Sequence, residues 1–273
     1  MAFNTAYDLD ALMVPTKAQA IFTAQENSLY LPGTMIPQVK VNSGSFSIQV
    51  PVFGQVAATE LTAASHAGDD FAVTNVTAQK VSIDANIFAA RDVIRDLGDI
   101  DPMELGRVLG KSVALAFDTS VSTALTDAVK ITQTAVTGGT VDTSELFTAA
   151  AVLRGNGEMG QLYAILSPAA AAGLLTSIGT AAYAGSDLQN NAMTNSYVGN
   201  VAGIQVYQSA SLGGISGADG TVFSEDAFRI AMFKNVDLEA QRRAAAVGTD
   251  IVASLHAGIG ITDPTRAYRM TTA

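Results

Sequence analysis

Cysteine and tryptophan are absent from the 273 residues, histidine occurs twice, and charge is sparse, at 15% of the chain where ordinary domains carry about a quarter. The missing cysteine excludes a disulfide framework, thiolate metal sites and a Cys nucleophile. His66 and His256 lie far apart in sequence and leave little room for His-based metal or acid–base chemistry. Bases are scarcer than acids, 15 against 25, for a formal charge of −10. That balance argues against a nucleic-acid reader, which displays a basic patch to displace counterions from phosphates. The start, Met1 to Asp10, is acidic and lacks the basic and apolar regions of a signal peptide. Its longest apolar run, Ala169 to Leu175, is far short of the roughly 20 residues that span a bilayer. The chain reads as soluble and cytoplasmically made, with no membrane role, so the Asn75-Val76-Thr77 glycosylation pattern carries no weight. With 48% hydrophobic residues in a soluble protein, much of the surface is expected to be buried against other copies.

Along the chain the texture changes several times. Residues 1–37 mix short apolar pieces with Pro15, Pro32, Gly33 and Pro37; one short helix is expected around Lys17 to Glu26, in an arm that must lie on something else. Phe46, Ile48, Val50 and Val52 then alternate with polar partners, as do Val81, Ile83, Ala85 and Ile87, the period of half-buried strands. Pro51 fits only an edge strand. The two runs predict a long ribbon whose broad polar tip spans 54–70, and such a hairpin is marginal in water without a sheet or a neighbour to cover it. Asp101-Pro102-Met103-Glu104 is a capping-box start for a helix expected over 102–130, about 42 Å long. The middle reads as α/β. Helices are expected from Asp142 to Arg154 and from Ala169 to Ile178, with strands at Leu162–Leu166, Val201–Tyr207 and Arg229–Phe233. Residues 180–200 form a loop, 212–220 is a glycine-rich turn, and Asp250–Ile261 alternates as a final strand.

No catalytic constellation emerges. Gly155-Asn156-Gly157-Glu158-Met159-Gly160 matches a dinucleotide-binding fingerprint, but a helix precedes it and a strand follows, the reverse of what a pyrophosphate site needs. It reads as a helix stop plus a turn. Asp96, Asp99, Asp101 and Glu104 suggest a divalent ion, yet their spacing is not that of an EF-hand and acids suit a first helical turn. Ser216, His256 and Asp263 stand in the chain order of a serine hydrolase, without the complete nucleophile-elbow motif. Arg242-Arg243 beside Glu239 reads as a salt-linked surface. No cofactor is expected.

The order of parts (arm, long ribbon, capped rod helix, α/β lobe, returning strands) resembles the major capsid proteins of tailed double-stranded DNA phages, the α+β Hong Kong 97 fold. The stretch Phe223-Ser224-Glu225-Asp226-Ala227-Phe228-Arg229-Ile230-Ala231 and the closing Gly258-Ile259-Gly260-Ile261-Thr262-Asp263-Pro264 also look like that family. The resemblance implies an N-arm at 1–37, an E-loop ribbon at 38–87, and a P-domain at 88–141 holding the spine helix. An A-domain would follow at 142–235, with closing P-domain strands at 236–273. It further implies self-assembly as pentamers and hexamers into an icosahedral virion shell around DNA, made in a bacterial cytoplasm, with a portal protein as partner. Because the arm begins at residue 1, a separate scaffolding protein, an already mature form or no scaffold is implied. Some relatives cross-link through an E-loop lysine; the tip 54–70 has none, so no cross-link is expected. Intersubunit contacts are expected from Phe46, Ile48, Val50, Val52, Val81 and Ile83. An encapsulin-like compartment, another repeating virion protein and the Ser216 hydrolase are the alternatives.

Overall fold

A computed structural model describes residues 6–41, 45–53, 76, 78–95, 101–131, 134–136, 141–178, 199–215 and 219–271. The ribbon tip with His66, the acids Asp96 and Asp99, Ser216 and nearly all of loop 180–200 lie outside the described residues.

Two sheets organise the chain. One has four strands: β1 (Gln38–Lys40), β10 (Phe228–Arg243), β11 (Gly248–Ile261) and β4 (Asn86–Arg95), in that spatial order. β1 runs parallel to β10, and the other pairs are antiparallel. The second sheet orders β5 (Thr134–Val136), β12 (Ala267–Thr271), β9 (Gly220–Ser224), β6 (Leu162–Leu166), β8 (Ile204–Gln208) and β7 (Gly199–Val201). Helices α3 (Thr143–Gly155) and α4 (Pro168–Ile178) pack on it. A separate two-stranded ribbon joins β2 (Ser47–Phe53) to β3 (Ala78–Asp84).

The long helix α2 (Pro102–Leu125) forms where its cap demands it. Asp101 accepts the Met103 amide at 2.9 Å. Glu104 does not close the capping box; it pairs with Arg107. The helix stops at Leu125, short of the expected Lys130, because Asp127 takes the Val129 and Lys130 amides into a turn. The Thr221 hydroxyl on β9 donates to the Leu125 carbonyl at 2.8 Å, fixing that end to the second sheet. On the sheet side, Phe117 meets Phe88 of β4 edge to face at 5.7 Å.

The N-terminal segment corrects the expectation of an arm in search of a surface. Helix α1 (Ala6–Asn27) is far longer than the short helix read from the sequence, despite Pro15 inside it, and it lies along α2 of the same chain. Gly106 and Gly110 make this possible. A Cβ on Gly106 would stand 2.4 Å from the Thr16 carbonyl oxygen, and one on Gly110 would stand 2.4 Å from that of Ala20. The buried face of α1 is Thr16, Ala20, Thr23 and Ala24, small residues that carry little hydropathy contrast. That is why its length was not legible.

The strand assignments also shift at lobe borders. β1 belongs to the four-stranded sheet rather than the ribbon, and β10 enters that sheet at Phe228, within the segment assigned to the A-domain. β12, expected among the closing P-domain strands, returns instead to the six-stranded sheet between β5 and β9. The strand expected at Val201–Tyr207 is a hairpin, β7–β8, turned at Ala202 and Gly203 with φ of 56° and 76°.

Candidate assembly interface

The ribbon carries the expected apolar face. Ile48 stands opposite Ile83, and Val50 opposite Val81, with Val52 next along β2. The alternate positions are Ser47, Gln49, Pro51 and Phe53 on β2 and Ala78, Lys80, Ser82 and Asp84 on β3. Along β2, Ile48, Val50 and Val52 remain half-buried in the lone chain, whereas the flanking Phe46 and Phe53 are 86% and 68% exposed. Burying an aromatic side chain removes roughly 150–250 Å² from water, so Phe46, in phase with the apolar face, and Phe53, on the other face, each leave much area to be covered.

Ile83 is different, and it corrects one of the six expected contacts. It is 1% exposed, covered by its own chain. Alternation along β11 turns Leu255, Ala257 and Ile259 toward the helices and leaves Gly258 and Gly260 on the opposite side. The ribbon root crosses there. A Cβ on Gly258 would lie 2.1 Å from the Asp84 carbonyl oxygen, and one on Gly260 would lie 2.5 Å from Ile83 Cγ1. The Gly-Ile-Gly of β11 is thus a seat for the ribbon. Val81 reaches the edge of the same seat, 3.5 Å from the Gly260 position.

Beyond the ribbon, Ile87 on β4 is also exposed, and Arg91 on the same strand is ion-paired with Asp250 across to β11. Lys17 of α1 holds Asp237 of β10 at 2.5 Å and Lys234 holds it at 3.0 Å; the Lys17 bond is the larger influence keeping this carboxyl below the usual range. Glu239 pairs with Lys234 at 3.1 Å.

Where α1 ends, the chain is tied to α2 by a buried acid. Asp118 accepts the Ser28 hydroxyl at 2.5 Å and the Leu29 amide at 2.9 Å. Tyr30 shares a hydrogen bond at 3.1 Å with Ser122, one turn along α2 from Asp118. Burial pushes the Asp118 carboxyl up to about 6, against these hydrogen bonds, and burial likewise raises the Tyr30 phenol. A cavity of about 160 Å³ adjoins the acid, lined by Lys111, Gln208 and Ser209 among others.

The remaining sequence candidates do not converge on a reaction centre. His256 pairs across β11 with Lys234 and Ile87, and Asp263 caps Thr265 and holds Arg266. Asp101 is the α2 cap. Among the described residues no group of three or more acids or histidines could hold a metal ion. The Gly155–Gly160 run is, as read, a helix stop and turn, with Gly157 at φ 87°. No described helix is long and apolar enough to cross a membrane.

No protein-family model matches the sequence, and no curated protein matches it. Solved structures do match in fold. A capsid structure of the cyanophage P-SCSP1u superposes with a TM-score of 0.68 at 17% identity, over 86% of each chain. The mature capsid of bacteriophage PhiM1 gives 0.61 at 13% identity, over 86% of this chain and 85% of that one. A virus-like particle from Pyrococcus furiosus gives 0.63 at 12% identity, covering 97% of this chain and 100% of its own. The chain therefore has the fold of phage capsid proteins, the Hong Kong 97 type that its order of elements implies.

Proposed function

We propose that this chain is a non-enzymatic shell subunit, the major capsid protein of a tailed double-stranded DNA phage. It would assemble as pentamers and hexamers into an icosahedral head. The observation that carries this reading is the ribbon, an apolar two-stranded extension anchored at its root, with Ile48, Val50 and Val52 half-buried and Phe46 and Phe53 exposed, on a fold shared with assembled capsids. Repeating one heterologous contact of this kind closes rings, and rings close shells. Phe46, Ile48, Val50, Val52 and Val81 supply the contact; Ile83 anchors it. A portal protein is the further partner, with a separate scaffolding protein, an already mature form or no scaffold as the alternatives, and the site of action is the virion. A formal charge of −10 disfavours tight binding of the subunit to packaged DNA.

The test is Val50→Asp. The variant is expected to stay soluble and helical by circular dichroism while electron micrographs show no shells. Normal particles would refute the ribbon contact.

A second reading keeps the shell and changes its content. The virus-like particle of Pyrococcus furiosus covers its own chain completely, which favours an encapsulin-like compartment as the alternative. Purified particles containing an enzyme rather than DNA would select it.

A further inference from the structure

The chain crosses between its two sheets at adjoining places. β9 passes into β10 through the turn at 225–227, and β11 passes into β12 through 262–266. The Thr262 and Asp263 amides both donate to the Ala227 carbonyl, at 2.8 and 3.2 Å, so the two crossings are stitched together. The loop behind α3 lies against them, with the Asn156 side-chain amide donating to the Thr265 carbonyl at 2.9 Å.

Arg266 sits at the centre of this joint. Its Nη1 donates to Glu158 Oε2 at 2.9 Å and to Asp226 Oδ2 at 3.2 Å, and its Nε donates to Asp263 Oδ2 at 3.1 Å. The three carboxylates belong to three segments: the loop behind α3, the β9–β10 turn and the β11–β12 turn. Glu158 is buried and also accepts the Gly160 amide through Oε1, while Asp226 turns its other oxygen to Arg229 at 2.6 Å. A guanidinium suits this place because its rigid fork holds several oxygens at set angles, whereas an ammonium is a point charge. Without it, acids from three segments would face one another across the joint, and like charges at that range repel.

We propose that Arg266 is a positioning residue for assembly: by gathering Glu158, Asp226 and Asp263 it fixes the angle between the four-stranded and six-stranded sheets, and so the curvature at which one copy meets the next. The part about curvature rests on the shell reading above; the clamp itself does not. It also gives the glycine-rich loop 155–160 a task, since that loop delivers Glu158 and Asn156 to the joint.

Two measurements separate the claims. Small-angle scattering on the assembly-blocked Val50→Asp subunit reads the clamp alone: adding Arg266→Gln is expected to enlarge the radius of gyration. Asp226→Asn, at an exposed position, should do so to a smaller degree and keeps the test open where Arg266→Gln unfolds. Unchanged scattering from the folded variants overturns the clamp. On otherwise wild-type chains, electron microscopy reads curvature. Arg266→Gln/Glu158→Gln, which leaves no unpaired buried charge, is expected to lose the single particle diameter, and Arg266→Lys to retain it in part. Particles of one wild-type diameter from the double variant overturn the link to curvature, while absence of particles from the wild-type chain overturns the shell reading and leaves the scattering result to decide the clamp.

Discussion

Helix α1 and the β2–β3 ribbon look alike in the sequence: each is a stretch with too few apolar residues to fold alone. The structure gives them opposite fates. α1 buries Thr16, Ala20, Thr23 and Ala24 on α2 of its own chain, and Lys17 adds an ion pair to β10. Among the described residues the ribbon is seated through Ile83 and the edge of Val81, while Phe46 beside the root and Phe53 at the far end of β2 stand in water. A stretch that cannot fold alone thus has two physical meanings. In a helix, small residues permit close backbone approach to a partner with matching glycines; in the two-stranded ribbon, no third strand of the same chain pairs with β2 or β3 among the described residues, and β11 covers the face at the root.

The contrast breaks most visibly at Gly110. Gly110→Val drives a side chain into the Ala20 carbonyl, and overpacking of this kind costs about 3 kcal/mol. Urea unfolding should register that loss, and amide exchange should show α1 released while the ribbon strands keep their wild-type rates. A variant of wild-type stability would mean that α1 is not held by this contact.

The junction between α1 and α2 should also respond to pH. Asp118 has a folded value of about 6 against 3.8 for a free aspartate, so the folded chain binds its proton more tightly. The associated stability, on the order of 2–3 kcal/mol, is complete below pH about 4 and is lost as pH rises through about 6. Asp118→Asn should flatten that slope in thermal melts between pH 4 and 7. A slope surviving the substitution would assign it to another group.

The smallest effect is expected on the ribbon. Phe53→Ser removes an exposed ring, and surface changes of this sort lie within about 0.5 kcal/mol. Subunit unfolding should therefore be unaltered while the concentration needed for assembly rises. Loss of subunit stability instead would show that the ribbon is held by its own chain, and the contrast with α1 would disappear.

What the sequence revealed was local. Asp101 and Asp142 cap the helices they precede, with Asp142 accepting the Ser144 and Glu145 amides. Leu162–Leu166, the alternating ribbon strands and the stop at Gly155–Gly157 were all legible, because period and turn chemistry act over a few residues. What stayed hidden depends on distant partners. The Gly106–Gly110 spacing signals a close helix crossing, but only the structure says that Thr16 and Ala20 fill it. Arg266 finds Glu158 and Asp226 across 108 and 40 residues, a pairing that no local pattern encodes. Ile83 shared its alternation with Val81, and nothing in that period distinguishes the anchor from the contact.

Among the described residues the ribbon rests on β11 at Gly258 and Gly260, which gives it the geometry of a cantilever. Its seven-residue strand Ala78–Asp84, at about 3.3 Å per residue, reaches roughly 23 Å. A rotation of about 10° about the Gly258–Gly260 seat would carry the strand's outer end by about 4 Å over that length. On the shell reading proposed above, such a displacement would let the ribbon meet neighbours at unequal spacings.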